Sequence, residues 1–165
     1  MQNNLALAYD QAGDAARAEP LFREVLVLRR RKRGPSHPHV AVTLVDLGRY
    51  LLRKRRCAEA EPLVRDGLTI WEVNRPDGWQ RFDAQSLYGG SLLGQGKYAE
   101  AEPLIRSGYE GLRAREAKIP APSKVRLPEA GERVVQLYLT WGKKERAAEW
   151  RAKLTPQSEK GLPAR

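Results

Sequence analysis

Apolar residues along the chain fall in steps of three and four, and these runs alternate with short polar turns. Leu5, Ala8, Tyr9 and Ala12 share one helical face, and Ala18, Leu21, Phe22, Val25 and Leu28 share another. Between them, Ala12-Gly13-Asp14 reads as a turn: Gly13 takes the left-handed position after a helix and Asp14 caps the next one. The pattern returns with Leu44, Leu47, Gly48 and Leu51 followed by Ala60, Leu63, Val64 and Gly67. It returns again with Leu87, Tyr88, Leu92 and Gly96 followed by Ala101, Leu104, Ile105 and Gly108. A degenerate fourth copy places Val134, Leu137, Tyr138 and Trp141 on one helix, ended by Gly142, and Ala147, Ala148, Trp150 and Leu154 on the next.

The copies are marked by a short motif. Ala18-Glu19-Pro20-Leu21, Ala60-Glu61-Pro62-Leu63 and Ala101-Glu102-Pro103-Leu104 lie 42 and then 41 residues apart. A fixed period of this size signals a stack of helix pairs, each touching only its neighbours. Each motif proline is expected early in its helix, where a missing N–H costs little. Gly67 and Gly108 lie deeper and are expected where helices approach closely. The expected architecture is all-α, an α-solenoid of antiparallel helix pairs over residues 1–154, with units of about 1–33, 37–74, 80–117 and 127–154. The prolines of Ile119-Pro120-Ala121-Pro122-Ser123 forbid helix between the last two units. Residues 155–165 are expected to be a disordered tail.

Asn3-Asn4-Leu5-Ala6-Leu7-Ala8-Tyr9, Gly13, Ala16-Arg17-Ala18-Glu19-Pro20-Leu21-Phe22 and the loop Gly34-Pro35-Ser36-His37-Pro38 resemble tetratricopeptide repeats. The likeness is to the 42-residue kind found in kinesin light chains and many bacterial proteins, and it covers residues 1 to about 115. Arg55 departs from it, standing where other units carry Gly13 and Gly96. Residues 75–165, through Pro76-Asp77-Gly78-Trp79-Gln80-Arg81-Phe82, Gly108-Tyr109-Glu110-Gly111-Leu112 and Trp141-Gly142, resemble the C-terminal tails of bacterial serine/threonine protein kinases. The resemblance implies a non-enzymatic scaffold that holds a protein or peptide on a concave groove. Carried over position by position, the groove comprises Asn3, Leu7 and Asp10 from the first unit, Val45, Arg49 and Arg53 from the second, and Asp83, Ser86 and Leu93 from the third. Asn side chains bond extended backbones and Arg49 and Arg53 pair with carboxylates, so an acidic segment is the expected partner.

Charge adds a competing reading. With 30 Lys and Arg against 20 Asp and Glu, the net charge is +10. Arg29-Arg30-Arg31-Lys32-Arg33 ends a helix and Arg53-Lys54-Arg55-Arg56 fills a turn, so an electrostatic nucleic-acid binder is the alternative. No aromatic is interleaved for base stacking. Met1 falls inside the first helix, which leaves Leu5 and Phe22 facing solvent at an open end. That predicts self-association there, and it suggests either the tail of a longer array or a truncated gene remnant.

The remaining candidate chemistry is weak. Gly89 to Lys97 is glycine-rich but lacks phosphate-loop spacing and a preceding strand. His37 and His39 have no third ligand, so no metal or other cofactor is expected. Kinase catalytic motifs are absent. Cys57 has no disulfide partner and is expected to be structural. No stretch has the length of a membrane span and no secretory signal is evident, which fits a reducing cytoplasm.

Overall fold

The computed structural model describes residues 2–155. Its helices are α1 (Gln2–Gln11), α2 (Ala15–Arg33), α3 (Pro38–Arg53), α4 (Cys57–Asn74), α5 (Trp79–Leu93), α6 (Tyr98–Arg113), α7 (Arg126–Thr140) and α8 (Lys144–Leu154). No strand occurs among the described residues. Consecutive helices pack as antiparallel pairs, and each pair packs on the next to make an all-α solenoid. The connection from α6 to α7 holds two short 3₁₀ turns, Glu116–Lys118 and Ala121–Ser123, and no α-helix. Beyond Thr155, the expected tail lies outside the described residues.

Four turns share one design. In each, two N–H groups reach back to the end of the preceding helix: Asp14 to Tyr9 and Gly13 to Asp10, Arg56 to Leu51 and Arg55 to Leu52, Lys97 to Leu92 and Gly96 to Leu93, Lys143 to Tyr138 and Gly142 to Leu139. This paired closure requires a left-handed residue at its centre. Gly13, Gly96 and Gly142 supply it with φ of 77°, 77° and 78°. Arg55 is the exception, held at φ 60° by the same two bonds. Asp14 caps α2, its carboxylate accepting the Arg17 N–H at 3.1 Å.

The motif acts between units. Ala18, Ala60 and Ala101 are fully buried, where a larger side chain would force the helices apart. The glutamate reaches forward into the next unit. Glu19 accepts from Arg56 at 2.6 Å. Glu61 accepts from Gln95 at 2.7 Å and Lys97 at 3.2 Å. Glu102 accepts from the Tyr138 hydroxyl at 2.6 Å and Arg146 at 3.1 Å. The prolines sit further in than expected. Pro20, Pro62 and Pro103 are each the sixth residue of their helix, so each removes a real intrahelical bond. The carbonyls left over belong to Ala16, Ala58 and Ala99, which are all exposed, so water can take the missing donor's place.

Three hydrophobic clusters follow the stack. Phe22, Leu26, Leu44, Leu47 and Leu51 join the first two units. Val45, Val64, Trp71 and Leu87 join the second and third. Ile105, Tyr109, Leu112, Val134, Tyr138 and Trp150 join the third and fourth, with Tyr109 edge-on to Trp150 at 5.5 Å. Gly108 is a close approach: a Cβ there would lie 2.7 Å from the Ser86 backbone nitrogen. Gly67 likewise sits against Val45 and Leu44.

Two expectations for the first unit are corrected. Phe22 is fully buried against Tyr50, with ring centres 6.0 Å apart, because α3 covers that face of α2. It offers nothing to self-association. In α1 the inward positions are Asn3 and Ala6, while Leu5, Ala8 and Ala12 are exposed. The helix turns a partly polar face to α3, where Asp46 receives Asn3.

Candidate functional site

The inner helices α1, α3, α5 and α7 lie side by side, and polar side chains gather where they meet. Asn3 donates to Asp46 at 2.8 Å. Burial pushes the Asp46 carboxyl above its usual range, against that bond and the nearby Arg49 and Arg126. Arg49 is nearly fully buried and doubly paired, donating to Asp83 at 2.6 Å and Glu129 at 3.1 Å. Arg126 donates to the same Glu129 oxygen at 3.2 Å. Arg53 pairs with Asp10. Arg133 donates to the buried Ser86 hydroxyl at 2.7 Å.

The structure places most of the expected groove residues around two neighbouring cavities that share Arg49. Asn3, Leu7, Val45, Arg49 and Asp83 line a cavity of about 230 Å³ between α1, α3 and α5, and Ser123 and Arg126 of the following segment close its side. Arg49, Arg53 and Leu93 line a larger one of about 690 Å³ between α3, α5 and α7. Ser86 lies buried beneath Arg133, and Asp10 serves Arg53.

The expectation that Arg49 and Arg53 are free for a partner's carboxylate needs correction. Asp83 and Glu129 already hold Arg49, because a guanidinium that deep must be paired inside the protein. Arg53 keeps nearly half its side chain exposed. The missed residues come from α7: Arg126, Glu129 and Arg133, spaced three and four apart and so on one helical face. That spacing is present in the sequence, but apolar periodicity, the signal that marks the fourth unit's helix, does not single out charged positions.

The basic runs divide as well. Arg29 donates to the His39 carbonyl and the Thr43 hydroxyl, both at 2.8 Å, and Arg30 lies 4.0 Å from Asp66. Arg31, Lys32 and Arg33 are exposed, with no ion pair among the described residues. In the second run, Arg56 is gripped by Glu59 and Glu19, which hold its guanidinium well above its ordinary range. Lys54 sits 5.7 Å above the Tyr50 ring. Arg55 has no hydrogen bond, ion pair or ring contact from its side chain among the described residues, and it stands at the edge of the larger cavity.

Other candidates have structural explanations. His37 caps α3, its Nδ1 accepting the His39 N–H at 3.1 Å. No group of three or more potential metal ligands comes together among the described residues. Within the glycine-rich stretch, Gly89 lies against the Ile105 backbone and Gly94 against half-buried Cys57. No helix among the described residues is long and apolar enough to cross a membrane.

Comparison with known proteins agrees with the fold. The family model for the tetratricopeptide repeat matches residues 1–72. BtubC (BKLC) from P. vanneervenii superposes with a TM-score of 0.69 at 13% identity, over 98% of this chain and 66% of that one. The chain thus spans about two thirds of BtubC. A Podosopora anserina putative kinesin light chain with nearly identical TPR-like repeats superposes with a TM-score of 0.59 at 18% identity, over 96% of both chains. A second structure of that protein aligns at 17% identity and the same TM-score, over 92% and 90%. No curated protein sequence matches.

Proposed function

From the tetratricopeptide-repeat fold of this chain, we propose a non-enzymatic scaffold that holds an acidic protein segment along its inner face. The repeat fold supports protein interaction in general. The observation that carries the acidic preference is the lining of the larger cavity, where Arg49, Arg53, Arg55 and Arg133 stand against Glu129 and Glu132. Carboxylates on an incoming segment meet a surplus of guanidinium groups, which recognise them through paired N–H donors. Arg55, Arg133 and the exposed part of Arg53 are the groups available, since Arg49 is committed to Asp83 and Glu129 and Arg53 also pairs with Asp10.

The test is an array of short acidic, neutral and basic peptides probed with the full chain. Acidic peptides should bind, Arg53→Glu should abolish their binding, and replacing Arg31, Lys32 and Arg33 together by Ala should leave it intact. Binding that disappears with the triple replacement and falls steeply with salt would favour the electrostatic nucleic-acid reading instead. A kinase-tail origin rests on the resemblance of residues 75–165. Genomic DNA upstream of the Met1 codon tests it: a kinase domain in continuous frame supports that origin, and unrelated sequence removes it.

A further inference from the structure

The larger cavity contains a guanidinium that makes no ion pair among the described residues. Arg133 is half-buried between α5 and α7 and its hydrogen-bond partner is the neutral Ser86 hydroxyl. Its neighbours are different: Arg49 has two carboxylates and Arg53 has one. Gly90 makes room for it, since a Cβ at that position would come within 2.9 Å of both Cδ and Nε of Arg133. Burial, and after it the adjacent Arg49 charge, bring its pKa down to about 10, against the opposing pull of Asp83 and Glu129.

The rim carries a second sign. Arg55 is the one non-glycine residue with positive φ among the described residues, and it lines this cavity. Three equivalent turns use glycine, so the arginine is held at a backbone cost and its side chain stands without a partner. Backbone strain retained beside an unpaired charge at a cavity is a pattern of functional sites. Leu52, Leu87, Leu93 and Tyr98 supply an apolar wall next to these two arginines.

We propose that this cavity is a ligand site for an oxyanion, carboxylate or phosphoryl, joined to an apolar group, with the half-buried Arg133 as the inner anchor and Arg55 as the rim contact. The volume of about 690 Å³ is ample for a small organic anion or one acidic side chain with an apolar neighbour. Arg133 offers donors that are already oriented by Ser86 and by the packing on Gly90, so little ordering is needed on binding. The site deepens the scaffold reading and shares its cavity, Arg55 and Arg133, but a small anion probes the pocket without any protein segment.

The experiment is an NMR titration of the full chain with phenyl phosphate and with 3-phenylpropionate, using benzyl alcohol as the neutral control. Saturable shifts at Arg133, Arg55 and Gly90 are expected, with a dissociation constant on the order of 1–10 mM for probes of this size. The preferred probe identifies the oxyanion. Arg133→Gln should weaken binding by about tenfold or more. Arg55→Gly, which does not threaten the fold, should weaken it by roughly threefold or more while raising thermal stability. Replacing Arg31, Lys32 and Arg33 together should change nothing. Shifts that never saturate, that benzyl alcohol reproduces, or that survive Arg55→Gly and Arg133→Gln in folded protein would overturn the site. Loss of acidic-peptide binding alone would leave it standing.

Discussion

Replacing Arg55 by glycine should stabilise the protein. Arg55 occupies the left-handed centre of the α3–α4 turn at φ 60°, closed by the Arg55-to-Leu52 and Arg56-to-Leu51 bonds. A residue with a Cβ loses about 1–2 kcal/mol there. Glycine removes that strain but brings about 0.5–1 kcal/mol of extra unfolded-state entropy. The Arg55 side chain makes no hydrogen bond or ion pair among the described residues, so little else changes. The net gain is about 1 kcal/mol, or about 2–4 °C in Tm for a chain of this size. Urea denaturation followed by circular dichroism is the assay, with the midpoint expected to rise at constant slope. Gly13→Ala supplies the opposite sign: it sits at φ 77° with nothing within 4 Å of an added Cβ, so its cost is backbone strain alone. An unchanged or lower midpoint for Arg55→Gly would refute the strain argument, since the same two bonds close all four turns.

Three further outcomes follow from the packing. Glu61→Gln removes the charged acceptor shared by Gln95 and Lys97 and should lower stability by about 1 kcal/mol, measured by the same denaturation. Gly108→Ala places a methyl against the Ser86 backbone, which cannot swing aside. It should cost about 1–3 kcal/mol despite alanine's better helix propensity, and a stability gain would show that α5 and α6 are less closely packed. Acid should destabilise the stack: Arg56 holds the Glu19 carboxyl, and Gln95 with Lys97 the Glu61 carboxyl, below the ordinary value of 4.5. Because the folded values are depressed, their contribution is complete above 4.5 and is lost as pH falls through the folded values. Asp46, raised by burial, acts in the opposite direction, so Asp46→Asn should steepen the acid loss in a pH series of urea midpoints.

The helix pairs, their turns and the all-α solenoid were legible in the chain because each rests on local information. Three- and four-residue apolar spacing, a glycine or its Arg55 substitute after each inner helix, and a motif repeating at 42 and 41 residues need no knowledge of distant parts. The inner-face candidates follow from the same repetition, which carries a position from unit to unit. What the local pattern could not contain was pairing across units. Arg49 meets Glu129 at a separation of 80 residues, and Arg133 meets Ser86 at 47. Whether an arginine is free or committed depends on which carboxylates the stacking brings within reach, and that is decided by the placement of α7 after the connection. The same holds for Phe22, whose burial was set by α3 and not by its own helix. The sequence alone determined a repeat solenoid; the tertiary structure decided which of its charges lack an ion pair, because charge compensation is a property of neighbours in space.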